Sequence, residues 1–98
     1  MTIEKNLNGT ELVISLTGRL DTITAPKLEA ELKSEIKGIE SLIFDFINLE
    51  YISSAGLRVL LGAQKIMNRQ GEMVIRNVNE TINEVFEITG FCDILTIE

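Results

Sequence analysis

Apolar residues change their spacing repeatedly along this chain, from every second residue to every third or fourth and back. That alternation restricts the fold more than any other feature. Leu12, Ile14 and Leu16 alternate with Val13 and Ser15 over residues 11–17, the pattern of a strand with one face buried. Residues 2–7 form a second apolar-rich stretch, and Asn8-Gly9 between the two is a strong hairpin signal. Ala25, Leu28, Leu32, Ile36 and Ile39 then recur at spacings of three and four, one stripe of a helix that Thr24 caps, Pro26 opens and Gly38 ends. Leu42–Ile47, broken by Asp45, reads as a mostly buried strand, residues 54–70 as a second helix ending at Gly71, and Met73-Val74-Ile75 as a further strand. Thr81 and Glu84 have the spacing of a capping box, Ile82, Val85, Phe86 and Thr89 form a stripe before Gly90, and Ile94–Ile97 suits a last short strand. The order ββαβαβαβ predicts an α/β fold, a mixed sheet with helices packed on it.

Composition narrows the function classes. At 98 residues and 45% apolar content, residues 1–98 are expected to form one domain that buries roughly two-thirds of its unfolded surface. A single cysteine excludes an internal disulfide, and Cys92, between Phe91 and Ile94, is expected to be a small core residue. The first residues lack the basic-then-apolar order of a signal peptide. Asp45, Asn48 and Glu50 interrupt the best apolar run well short of the ~18 residues a span needs, so a cytoplasmic location without membrane insertion is expected. Nine basic against fifteen acidic residues give a net charge of −6, which argues against nucleic acid. The absence of histidine excludes Ser–His–Asp and Cys–His catalysis and the commonest zinc and iron sites, and neither glycine-rich phosphate-binding motif is present. The expectation is a binding protein with no catalytic residue, metal or cofactor.

Tyr51-Ile52-Ser53-Ser54-Ala55-Gly56-Leu57 sets two hydroxyls and two small residues where an apolar run meets a helical pattern. A helix start leaves backbone N–H groups unpaired and carries partial positive charge, so it welcomes an anion. Ser54 there is either a helix cap or, on an exposed turn, an acceptor for a phosphoryl group. On a helical wheel Val59, Leu60, Ala63, Ile66 and Met67 form one face, assigned to the sheet, whereas Leu57, Arg58, Leu61 and Lys65 lie on the side of Ser54. That mixed face suits a partner, although Leu57 and Leu61 are equally consistent with core. Gly56 fits a close approach by a partner and tight packing on the sheet equally well. Gly62 costs about 1 kcal/mol relative to alanine inside a helix, which implies a packing reason. Asp21, between a strand and a helix, fits a turn-forming acid.

Together the opening hairpin, Gly18-Arg19-Leu20-Asp21 with Thr24-Ala25, Leu42-Ile43-Phe44-Asp45-Phe46, and Tyr51 to Leu57 resemble the STAS family, and within it the stand-alone anti-sigma factor antagonists. Members typically read Asp-Ser-[Ser/Thr/Ala]-Gly-Leu at the last segment, with the serine after the Asp phosphorylated. Aligned on Gly56 and Leu57, that serine is Ser54. The resemblance implies partner switching. The unphosphorylated domain binds an anti-sigma factor serine kinase and releases a sigma factor, the kinase phosphorylates Ser54 with ATP, and a metal-dependent serine phosphatase resets the switch. It also places Asp21 near the serine and, with the helix wheel, implies a partner surface of Asp21, Ser53, Gly56, Leu57, Arg58 and Leu61. Two positions depart from the pattern: Ser53 stands where the Asp is usual, and Ala55 replaces a hydroxyl residue. The first keeps open an alternative, a phosphorylation-independent STAS interaction subunit of a transporter or signalling assembly.

Overall fold

The computed structural model describes residues 1–98. Strand β1 (Thr2–Asn8) pairs antiparallel with β2 (Glu11–Leu20). Helix α1 (Ala25–Glu35) leads to β3 (Ser41–Ile52), parallel to β2, and helix α2 (Ser54–Gln70) leads to β4 (Glu72–Arg76), parallel to β3. Helix α3 (Glu80–Thr89) and one 3-10 turn (Phe91–Asp93) follow. The sheet is mixed, in the order β1-β2-β3-β4. The turn between β1 and β2 has Gly9 and Thr10 as its central residues, with Gly9 at φ 65°, a conformation glycine adopts without strain.

One face of the sheet carries the core. Register aligns Leu12 with Leu42 and Met73, and Ile14 with Phe44 and Ile75, all buried. All five apolar residues of the first helical stripe are buried too, although α1 ends at Glu35 and Ile36 and Ile39 fill the core from the turn beyond it. Each such side chain contributes on the order of 1.5–3 kcal/mol by leaving water.

The structure corrects several expectations. Strand β3 runs five residues past Ile47, because register shifts between Ser15 and Thr17 and between Gly18 and Arg19 insert extra residues into it. Its buried positions step from Phe46 to Leu49 to Ile52, which hides the strand from any period-two pattern. The last strand shrinks to a single bridge, Ile97 to Ile75, so the order is ββαβαβα. The 3-10 turn after left-handed Gly90 uses up the chain that a strand would need. Cys92 lies in that turn and is exposed, not in the core. On α2 the inward face is Gly56, Leu57, Val59, Leu60, Ala63, Gln64 and Met67, while Ile66 is 42% exposed. Helix α3 is capped by Asn79, whose side chain accepts the Ile82 N–H at 2.8 Å, not by Thr81.

Asn79 also donates from its side-chain amide to the Leu49 carbonyl at 3.0 Å, tying α3 to β3. Asn79→Ala should therefore cost about 1–2 kcal/mol, read as a fall in denaturant midpoint, and Thr81→Ala should stay within about 0.5 kcal/mol of the parent.

Candidate functional site

Parallel pairing brings the ends of β2 and β3 side by side, with Leu20 opposite Ile52 and the Ser53 N–H bonded to the Leu20 carbonyl at 2.9 Å. The chain turns there into α2. Ser53 is its N-cap in extended backbone, and its carbonyl accepts the Leu57 N–H at 3.0 Å. Its hydroxyl makes no capping bond; the oxygen is enclosed and has no partner. Ser54, the first residue of α2, is exposed. The first-turn N–H groups beside it have no carbonyl within the helix, and that turn holds no acidic residue. An anion on the Ser54 oxygen would lie next to those donors and the positive end of the helix dipole.

Why the helix starts so close to the strands is visible at Gly56. A β-carbon there would stand 2.7 Å from Leu20 Cγ and 2.8 Å from Ile52 Cγ1. Gly56 is buried by this packing and is withdrawn from the partner surface that the resemblance implies. Leu57 is withdrawn as well: it is 5% exposed and belongs to the core, because the helix enters with that position facing the sheet. Arg58 is exposed and makes no ion pair, and Leu61 is half-buried.

Asp21 opens the loop into α1 and staples it. Its carboxylate accepts the N–H groups of Ile23 at 3.0 Å and Thr24 at 3.1 Å, and Arg19 Nε lies 3.8 Å away. Thr24, the expected α1 cap, instead accepts the Asp21 N–H at 2.8 Å and donates to the Arg19 carbonyl at 2.7 Å. The Thr24 N–H, above all, and then the Ile23 N–H and Arg19 hold the Asp21 carboxyl below its ordinary value of 3.8, against a partial opposing effect of burial. The turn-forming role is thus the one its bonds describe.

Two features of this end escape the sequence reading. Arg19 lies over the Tyr51 ring, 4.3 Å from its centroid, and Ile23 projects from the Asp21 loop at 87% exposure. Ile23 had one signal: an isoleucine between two threonines that continues no stripe. No cluster of three or more His, Cys, Asp or Glu side chains is placed to hold a metal ion, and no helix is long and apolar enough to cross a membrane.

A family model described as "STAS domain" matches residues 2–98. The chain belongs to the STAS domain family. BtrV of Bordetella bronchiseptica, provisionally named an anti-sigma factor antagonist, is 42% identical to it over 88 residues, 88% of this chain and 76% of that protein. The anti-sigma-B factor antagonist of Listeria monocytogenes is 36% identical over 87% of this chain and 76% of its own length. Among solved structures, the anti-sigma factor antagonist SpoIIAA of Bacillus has the same fold. Its unphosphorylated form matches with a TM-score of 0.78 at 20% identity, over 99% of this chain and 87% of that one. Its phosphorylated form matches with a TM-score of 0.78 at 21% identity, over 99% and 91%. The mixed sheet and the helix that starts at Ser54 are therefore the STAS architecture.

Leu57→Ala should cost about 2–5 kcal/mol of unfolding free energy in this STAS domain, and Arg58→Ala less than about 0.5, both read by urea denaturation. Because folding depresses the Asp21 pKa, its contribution is present above the unfolded value and is lost as pH falls through the folded one. The Ile23 and Thr24 amide resonances should accordingly titrate below about pH 4 in the parent and stay flat in Asp21→Asn.

Proposed function

We propose that this STAS domain is an anti-sigma factor antagonist switched by phosphorylation of Ser54. The unphosphorylated form binds an anti-sigma factor that is itself a serine kinase, and the sigma factor is released. The kinase then transfers the γ-phosphoryl group of ATP to the Ser54 oxygen, with ADP leaving and the hydroxyl proton passing to a base of the kinase. A serine phosphatase removes the phosphate and resets the cycle. The domain is the substrate and the binding module, acts in the cytoplasm, and performs no catalysis itself.

One observation carries this reading. Of the two adjacent serines, Ser54 is exposed at the helix start and the Ser53 oxygen is enclosed. The names of the relatives, and a solved SpoIIAA in phosphorylated and unphosphorylated forms, support the same reading. A phosphate brings roughly −1.5 to −2 charges and strong acceptor oxygens. At a helix N-terminus it is accommodated locally, so its effect falls on the interface. Arg58, one turn on, partly neutralises it.

The partner surface proposed here is what remains exposed around Ser54: Arg58, half-buried Leu61, Tyr51, and the Asp21 loop with Ile23 at its tip. A rigid loop presenting one unpaired isoleucine is a ready anchor for a pocket on the kinase. Its burial is worth on the order of 1.5–3 kcal/mol, about ten- to a hundredfold in affinity.

With the cognate kinase and ATP, Ser54→Ala should incorporate no phosphate and Ser53→Ala should still incorporate it; phosphate mapped to Ser53 would overturn the assignment. Phosphorylated protein should bind the kinase more weakly while its circular dichroism is unchanged. Ile23→Ser should weaken binding by about tenfold or more at an unaltered melting temperature, checked by calorimetry.

A further inference from the structure

Gly62 sits in the middle of α2, where glycine is unfavourable. No packing within the fold calls for it, contrary to the sequence expectation: a β-carbon there would meet no atom within 4 Å. What it opens onto is a furrow between α1 and α2 of about 300 Å³, walled by Leu32, Ile36, Val59, Ala63 and Ile66. The furrow continues past Ile66 to Lys65, Arg69 and Gln70. At its other end, Glu29 and Val59 also line a hollow beside Pro26, Ala55 and Arg58.

The charge along this furrow runs against that of the chain. The protein carries −6, yet α2 holds Arg58, Lys65 and Arg69 and no acidic residue. At spacings of seven and four these cations align along one side of the helix. All three are exposed and none makes an ion pair, whereas Lys33 across the furrow is held by Glu29 at 3.7 Å. A bare backbone at Gly62 lets an occupant approach α2 closely, the apolar walls suit an apolar face, and the unpaired cations suit carboxylates.

We propose that the α1–α2 furrow docks an acidic amphipathic helix of another protein, its apolar face on exposed Ile66 and the bare backbone at Gly62, over the buried edges of Leu32 and Val59, and its carboxylates on Lys65 and Arg69. A second copy of this chain is a poorer occupant. Its own acidic helix, α3, buries Ile82 and Phe86 in its own core and leaves only Ile88 exposed. The docking end of the furrow, from Gly62 to Arg69, lies apart from the switch. Gly62 lies eight residues along α2 from Ser54, about 12 Å, beyond the Debye length of about 8 Å at physiological salt. A phosphorylated domain therefore still holds this second partner.

The test uses the full chain and two synthetic helical peptides with the same leucine face, one with glutamate and one with lysine on the polar face. Amide-shift mapping with the glutamate peptide should perturb Leu32, Val59, Gly62 and Ile66, with the lysine peptide binding at least about tenfold more weakly. Gly62→Leu and Lys65→Glu/Arg69→Glu should each lower the affinity about tenfold or more, and Ser54→Asp should change it by less than about threefold. Gly62→Ala, which removes the helix-interior glycine, should raise the melting temperature, and Gly62→Leu should not lower it, so lost binding is not lost folding. Equal binding of the lysine peptide, shifts mapped elsewhere, affinity unchanged in Gly62→Leu, or furrow shifts that follow protein concentration alone would each overturn the proposal. Because Ser54→Asp is expected to spare the furrow, its failure is distinct from failure of the Ser54 switch.

Discussion

How closely the first turn of α2 lies against Leu20 and Ile52 decides the geometry of everything at that end of the sheet. The approach needs a residue without a side chain, and Gly56 supplies it. The Ser53 N–H bond to the Leu20 carbonyl fixes the height of the helix, and Leu57 in the core fixes its rotation. With height and rotation set, the neighbouring positions have no freedom: Ser53 turns its oxygen inward, Ser54 outward, and Arg58 follows one turn along the exposed side. Which of two chemically identical hydroxyls meets solvent is thus decided by packing. An alanine at position 56 would have to push the helix start off the strands, and overpacking of that kind costs typically 1–3 kcal/mol.

The order of the first seven elements was legible because periodicity is a local property and most elements keep their period over enough residues to show it. What was not legible depends on register. Strand β3 loses its alternation where two shifts insert extra residues, so the pattern ends at Ile47 although the strand does not. The same irregularity hides the Arg19–Tyr51 pair: with Gly18 opposite Leu49, an unbroken register would set Arg19 against Glu50, and the shift delivers it to Tyr51. On α3, Asn79 and Thr81 are both acceptable caps by local spacing. Burial of Ile82 and Phe86, a tertiary fact, selects the first. On α2 the apolar residues outnumber the places on the inward face, so a wheel alone misassigns Leu57 and Ile66. The motif residues around Ser54 were readable, since helix-start chemistry is local. The turn-forming role of Asp21 was readable too, from its place between a strand and a helix, whereas Gly56 and Leu57 were left between core and partner surface, since each depends on what the neighbouring strands place beside it.

Charge is distributed so that the two ends of α2 meet different needs. The loop before α1 is held by a carboxylate whose ionisation is itself stabilised by the loop's own N–H groups, so Asp21 and its backbone support each other. That leaves Asp21's acceptor capacity used within its own loop, and keeps Ile23 on a fixed platform. Lys5 similarly fastens β1 to α1 through Glu31 and Glu35. The cations of α2, by contrast, remain free. In a chain with an acidic balance, unpaired cations on one helix are a local departure that the fold itself does not use.

Ser53 bears on the proposed switch in a direction opposite to the one the sequence suggests. Read as a motif, the loss of the usual acid before the serine removes a charge from the acceptor site. In the structure, position 53 is the N-cap of α2, and an aspartate at an N-cap ordinarily accepts an N–H of the first turn. Such a carboxylate would occupy the donors, and repel the charge, of a phosphate on the next residue. The Ser53 hydroxyl does neither, since it is enclosed and makes no capping bond. The arrangement therefore leaves the helix N-terminus without a side-chain cap, with its N–H groups and dipole free to meet an anion on Ser54. On that electrostatic ground the departure from the family pattern favours the proposed phosphate at Ser54.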